Sequence, residues 1–301
     1  MSILPFKRDG DDGGPDRAGF AHLLDGFSIE VMPRTAARVE DFRAILLPGT
    51  RIYVAHIEGT PIEDMVATAA RLRAEGFPTM VHVHARAVRD RAELDDWLGR
   101  YRDAGVEEAL VLAGGGKEIA GALDSSIALL ETGLFERHGF TRLHVAGHPE
   151  GNRDIDPAGG HDNVTAALRW KQDYSDQSTA TFAVVTQFAF DAGGMLDWAD
   201  GLRQGGIRMP VHAGIAGPAK LQTLLKFAIA CGVGPSLGVL QKRARDVTRL
   251  LKPYTPDDVL AGLAKGRAAG RGANVEQVHI FPLGGIATAA DYATQIREGR
   301  G

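Results

Sequence analysis

From residue 27 to residue 281 the chain alternates short apolar runs with longer stretches in which apolar residues recur at helical spacing. The runs cover 27–31, 51–56, 79–84, 109–112, 142–147, 182–187, 209–213 and 277–281, which makes eight. They are too short for helices and several are rich in Val and Ile. Continuous apolarity, rather than strict alternation, predicts parallel strands covered on both faces. Helical patterns fill the gaps at 61–75, 90–103, 125–137, 162–171, 196–204 and 219–230. Pro61 opens the first of these, with Glu63 and Asp64 near the positive end of its dipole. Leu94, Trp97, Leu98 and Tyr101 form one stripe of the second. Gly76, Gly105, Gly139 and the pair Gly205-Gly206 fall just past helices, where a left-handed cap residue is wanted. The gap 214–276 is long enough for two or three helices, so the seventh unit carries an insertion.

Eight strand–helix units in a chain of 301 residues predict an α/β fold, a single (β/α)8 TIM barrel spanning 21–301. No strand–Gly-x-Gly-x-x-Gly–helix unit appears, which argues against a doubly wound dinucleotide-binding sheet. Residues 1–20 include an Asp- and Gly-rich stretch that buries little surface and reads as a flexible tail.

Composition narrows the function classes. With 44% hydrophobic and 24% charged residues and a formal net charge of −4, the chain offers no basic field for nucleic acid. It has no apolar stretch of the ~18 residues that a membrane span needs, and the N-terminus lacks the apolar core of a signal peptide. One cysteine, Cys231, allows neither an internal disulfide nor a cysteine-built zinc site, which fits a reducing, cytoplasmic setting.

The active site of such a barrel lies at the carboxyl ends of its strands, so polar residues there are the candidates. These are Glu30, His56, His82 and His84, the segment His148-Pro149-Glu150-Gly151, Thr186-Gln187 with Asp191, His212 and His279. Glu30 stands inside the apolar string Phe27-Ser28-Ile29-Glu30-Val31-Met32. It either points at a nearby arginine or solvent, or is a carboxyl whose apolar surroundings raise its pKa and suit it to donate a proton. Gln187 can pair with both donors and acceptors on the edge of a heterocycle. His82 and His84 share one face of their strand and form a candidate metal pair, although no strand end supplies a matching Asp. Gly284-Gly285, between the last strand and its helix, could present backbone N–H groups to an anion.

Taken in order, these residues resemble methylenetetrahydrofolate reductase, a flavin-dependent (β/α)8 enzyme family. Phe27-Ser28-Ile29-Glu30-Val31-Met32-Pro33 follows the family's first strand, and Thr186-Gln187-Phe188-Ala189-Phe190-Asp191 repeats its sixth. Gly206-Ile207, Pro210, Gly214-Ile215 and Phe227-Ala228 match the pattern that comes next, and His148-Pro149-Glu150-Gly151 stands where relatives have Tyr-Pro-Glu-Gly. The similarity spans roughly residues 25–297. It implies that Glu30 is the general acid, that Gln187 bonds the pterin and that Phe227 packs on substrate or nicotinamide. It also implies that His82, Leu112, Gly114, His148, Glu150 and Lys171 line FAD. The implied reaction reduces 5,10-methylenetetrahydrofolate to 5-methyltetrahydrofolate with NADH or NADPH. A homo-oligomer is implied as well.

Three positions depart from the family. Leu112-Ala113-Gly114-Gly115 replaces Leu-Arg-Gly-Asp, His148 replaces a cofactor-stacking Tyr, and Leu283-Gly284-Gly285 replaces Leu-Asn-Arg. Losing an arginine and an aromatic surface removes charge-assisted hydrogen bonds and stacking area. That leaves altered FAD contacts, weak FAD binding or direct hydride transfer from nicotinamide as the alternatives. Beyond the reductase, two further classes stay open: a metal-dependent barrel hydrolase using His82 and His84, and a non-catalytic folate- or flavin-binding protein.

Overall fold

A computed structural model describes residues 17–115, 119–231, 238, 240 and 253–299. The eight predicted runs form β1 (Ser28–Val31), β2 (Arg51–Val54), β3 (Thr79–His84), β4 (Glu108–Leu112), β5 (Arg142–Gly147), β6 (Thr181–Thr186), β7 (Val211–Ala216) and β8 (Val275–Phe281). All pair in parallel, each with its sequence neighbour, and β8 returns to β1 through Ser28↔His279 and Ile29↔Ile280 to close the barrel. The chain is therefore a (β/α)8 barrel.

The helices are α1 (Pro33–Ala36), α2 (Ile62–Ala74), α3 (Arg91–Asp103), α4 (Ser126–Glu131), α5 (Leu134–Arg137), α6 (Asp162–Ser175), α7 (Ala192–Gln204), α8 (Leu221–Ala230), α9 (Asp257–Ala268) and α10 (Ile286–Arg297). Asp90 and Ser125 cap α3 and α4 by accepting from the backbone N–H groups of Glu93 and Ala128. Gly105 (φ +75°) and Gly139 (φ +70°) end α3 and α5 in the left-handed conformation that the sequence predicts. The single helix expected over 125–137 is instead split into α4 and α5. Gly133 adopts φ +65° between them, and no helix continues through that conformation.

The barrel boundary also moves. Ala18–Leu24 forms a 3-10 helix against β8, α9 and α10, and Phe20 is fully buried. Residues 17–20 thus belong to the barrel, while 1–16 of the expected tail lie outside the described residues. The insertion in the seventh unit contributes α8 and α9; most of the chain between them lies outside as well.

Two apolar bodies hold the fold. One lies between the strands and their helices and takes Ile29, Ile52, Val81, Val111, Leu143 and Val184 from the outward faces of the strands. The other, built on Phe188, Phe190, Leu221, Leu224 and Tyr254, seats α8 beside the ends of β6 to β8. Among the described residues no helix is long and apolar enough to cross a membrane.

Candidate active site at the carboxyl end of the barrel

Side chains alternate along each strand, so residues two apart share the barrel interior. Glu30 and Ser28 on β1, Tyr53 on β2, His82 and His84 on β3, His144 on β5, His212 on β7 and His279 on β8 share that space. The Glu30 side chain is 20% exposed, and its Oε2 lies 3.7 Å from His279 Nε2. His279 in turn joins Ser28, with Nδ1 2.9 Å from Oγ. Glu30 is therefore a half-buried carboxyl at the mouth with one histidine against it, and among the described residues no arginine pairs with it.

Gln187 follows β6 at the same mouth. Its Oε1 accepts from the backbone N–H of Phe188 at 3.1 Å, and no described residue accepts from its amide NH2. The neighbouring strand approaches closely here: the Gly214 backbone N–H donates to Thr186 Oγ1 at 2.8 Å. A Cβ on Gly214 would come within 2.4 Å of the Thr186 carbonyl oxygen, so only glycine fits.

Phe227 lies on α8 and is 39% exposed, one of few large apolar side chains so placed. Cys231 follows it by one turn on the same helix face. Desolvation, and then the Glu30 carboxylate, push the Cys231 thiol above its ordinary range. The buried face of the same helix, Leu221, Leu224 and Ala228, packs on Phe188 and Phe190 just after β6.

The residues implied as flavin-lining cluster around β3 to α6. His82 is 9% exposed and its Nε2 has no hydrogen-bond partner. Burial, and then the neighbouring histidines His84, His279 and His56, hold its pKa well below the ordinary value. The His84 ring stacks on His56 with centroids 5.2 Å apart. Leu112 ends β4 half-buried, and Gly114 (φ +97°) packs 3.4 Å from His84 Cβ, measured from where its own Cβ would stand. Arg86 ties this edge to the next loop, donating to the Gly114 carbonyl at 3.3 Å and pairing with Asp154 at 2.7 Å.

His148 and Glu150 follow β5 in that loop, both half-buried. Burial, and then the Lys171 charge, lower the His148 pKa to about 4. Lys171 on α6 is only 6% exposed, and no carboxylate pairs with it among the described residues. Desolvation pulls its pKa down to about 8. A buried ammonium without a counter-ion suits an anionic ligand, such as the phosphates of a cofactor.

Two other expectations resolve differently. The His82 and His84 rings are 6.0 Å apart, and among the described residues no group of three or more His, Cys, Asp or Glu side chains is placed to hold a metal ion. Gly284 is explained by packing, because a Cβ there would come within 2.0 Å of the Pro218 carbonyl oxygen. Sequence reasoning passed over Tyr53 and His144, which sit mid-strand. Their signal was present: each alternates with an arginine, Arg51 and Arg142, and so faces inward with it.

No protein-family model matches the chain. Among solved structures, it is similar to a protein from Clostridium thermocellum that binds two copies of 5-methyl-5,6,7,8-tetrahydrofolic acid. That likeness has a TM-score of 0.54 at 11% identity and covers 90% of this chain and 94% of that one. A mutant tryptophan synthase alpha-subunit from Pyrococcus furiosus aligns at TM-score 0.48 and 9% identity, over 91% of this chain and 96% of that one. Oxaloacetate acetylhydrolase aligns at 0.46 and 14%, over 95% and 86%. At such identities the likeness to the first is one of fold.

Proposed function

We propose that the protein is a folate-reducing oxidoreductase that converts 5,10-methylenetetrahydrofolate to 5-methyltetrahydrofolate with NAD(P)H. The observation that carries this reading is Glu30, a half-buried carboxyl on the inner face of β1, at the mouth and in contact with His279. A methyltetrahydrofolate-binding protein of the same fold adds support for the ligand class.

In this reading the folate lies between Gln187 and Phe227. The Gln187 amide reads the pterin edge, since its Oε1 is already engaged and no described residue takes its NH2. Phe227 supplies an apolar face to the substrate or to nicotinamide. Glu30 protonates the folate as the five-membered ring opens to an iminium, and a hydride then reduces the iminium carbon to a methyl group. The sum is one hydride from NAD(P)H and one proton from Glu30 for each methyl group made.

FAD fits the residues around β3 to α6. Among the described residues Lys171 has no paired carboxylate and His82 Nε2 has no hydrogen-bond partner. When bound, FAD supplies a carrier for the hydride between NAD(P)H and the folate. His82, Leu112, Gly114, His148, Glu150 and Lys171 would hold it.

The deciding assay is NAD(P)H oxidation by the purified protein, with and without methylenetetrahydrofolate and with and without added FAD. The expected result is oxidation that requires both. Oxidation that needs folate but is indifferent to FAD would move the hydride path to direct transfer. No folate-dependent oxidation with either nicotinamide would overturn the reading.

A further inference from the structure

Beneath Glu30 a file of polar side chains runs through the barrel to its opposite end. His279 touches Glu30 and Ser28 at 3.7 and 2.9 Å, and Ser28 and Tyr53 stand inward on the paired strands β1 and β2, Ser28 in register with Arg51 two residues before Tyr53. Tyr53 Oη is 2.6 Å from His144 Nδ1. The His144 and His212 rings meet edge to face, with centroids 4.8 Å apart. His212 Nε2 is 3.3 Å from Glu276 Oε2. Glu276 opens onto a cleft of about 490 Å³ beside Arg203, Arg208 and Arg267, at the amino ends of β7 and β8.

The five interior members are 0–2% exposed, whereas the terminal carboxylates Glu30 and Glu276 are 20% and 61% exposed. Barrel interiors are ordinarily filled by branched aliphatic side chains, and burying polar groups costs free energy unless they are paired. Here hydrogen bonds join His279 to Ser28, Tyr53 to His144 and His212 to Glu276, and the edge-to-face contact of His144 with His212 spans the break between the last two pairs. On His144 and His212 the nitrogens not engaged by Tyr53 or Glu276, Nε2 and Nδ1, have no other partner. These two unpaired nitrogens belong to rings in edge-to-face contact, so a single water is enough to bridge them.

We propose that this file is a proton relay that recharges Glu30 from the opposite end of the barrel, with Glu276 as its solvent-side terminus. The proposal rests on the reading of Glu30 as proton donor. Each folate reduced would consume one proton, and a folate lying over the mouth would close the direct route from solvent to Glu30. A proton arriving on Glu276 passes to His212 Nε2, and the proton on His212 Nδ1 moves to His144 Nε2 through one bridging water. His144 Nδ1–H then gives its proton to Tyr53, Tyr53 to Ser28, and Ser28 to His279 Nδ1. Finally His279 Nε2–H delivers one to Glu30. Every member takes one proton and gives one, so the net change is a proton lost from solvent and gained by Glu30. Burial holds His144 well below its ordinary pKa and also lowers His212, so both rings are neutral near pH 7. A neutral imidazole is donor and acceptor at once, as a relay requires.

The test uses Tyr53→Phe, which removes one hydroxyl mid-file, and Glu276→Gln, which changes the exposed terminus without changing its shape. With methylenetetrahydrofolate and NAD(P)H, steady-state turnover should fall by about tenfold or more in each, with KM for folate unchanged. The first turnover of enzyme equilibrated with buffer should keep its normal rate, because it draws no proton through the file. A merely structural role would slow both phases together, and that outcome overturns the relay. So does turnover within about twofold of normal in both variants. A second readout is independent of activity: the ring nitrogens of His279, followed by 15N NMR, should shift in Glu276→Gln, and Tyr53→Phe should block that shift. Should the unaltered protein fail to oxidise NAD(P)H with folate, the assigned reaction falls. The NMR arm then judges the file alone, with an unmoved His279 overturning it.

Discussion

The two faces of the same eight strands contrast sharply. Outward positions carry Ile29, Ile52, Val54, Val81, Val83, Val111, Leu143 and Val145, all at or near zero exposure within one apolar shell. Inward positions carry Ser28, Tyr53, His82, His144, His212 and His279, almost as deeply buried. Beside them lies a small apolar group of Met80, Leu110 and Val185, with Leu112 packed on it and the Tyr53 ring as its junction with the polar side chains. The difference follows from what each face meets. Outward side chains meet the apolar stripes of helices, where area removed from water is the main gain. Inward side chains meet one another in a narrow space fixed by strand register, where polar partners can be held at hydrogen-bond distance. Depth of burial is common to both faces; chemistry belongs to one.

Three changes sharpen that contrast. Glu30→Gln acts on the inward face and keeps the shape while removing the transferable proton. Folate-dependent oxidation should fall by about 10²–10⁴-fold, while NAD(P)H-to-quinone turnover through added FAD continues. If both activities dropped by the same factor, Glu30 would lose its proton-donor role. On the outward face, Leu143→Ala opens a cavity at a fully buried position. It should cost about 2–5 kcal/mol in urea unfolding, with activity per folded molecule retained. An unchanged midpoint would mean that the shell collapses around the gap.

Acid should act mainly through the inward and mouth histidines. Burial holds His84 and His148 at about 4, below the ordinary value near 6.5. Below pH 6.5 the unfolded chain therefore binds more protons than the folded one, and stability falls as the pH drops toward 4. Between pH 7 and 5 the loss should be on the order of 2 kcal/mol once the partial exposure of both rings is allowed for. Denaturant titrations at the two pH values measure it, and a flat profile would mean that these rings gain compensating partners on protonation.

The sequence by itself determined the eight strands and their order. A parallel strand buried on both sides is apolar throughout, and that signal is local. It also marked the helix stops at Gly105 and Gly139, and it singled out Glu30 as a carboxylate in an apolar string. Tertiary structure decided the rest. Phe20, read as part of a tail, is buried against β8, α9 and α10, and no local pattern announces a partner more than 200 residues away. The split at Gly133 arose because the chain must turn there to lay α4 and α5 over the barrel. Tyr53 and His144 come from strands about 90 residues apart, and Ser28 meets His279 only because β8 pairs with β1. Apolar periodicity reports whether a position is covered. Which neighbour covers it is set by barrel closure and register, and the chemistry of this site lives in those long-range pairings.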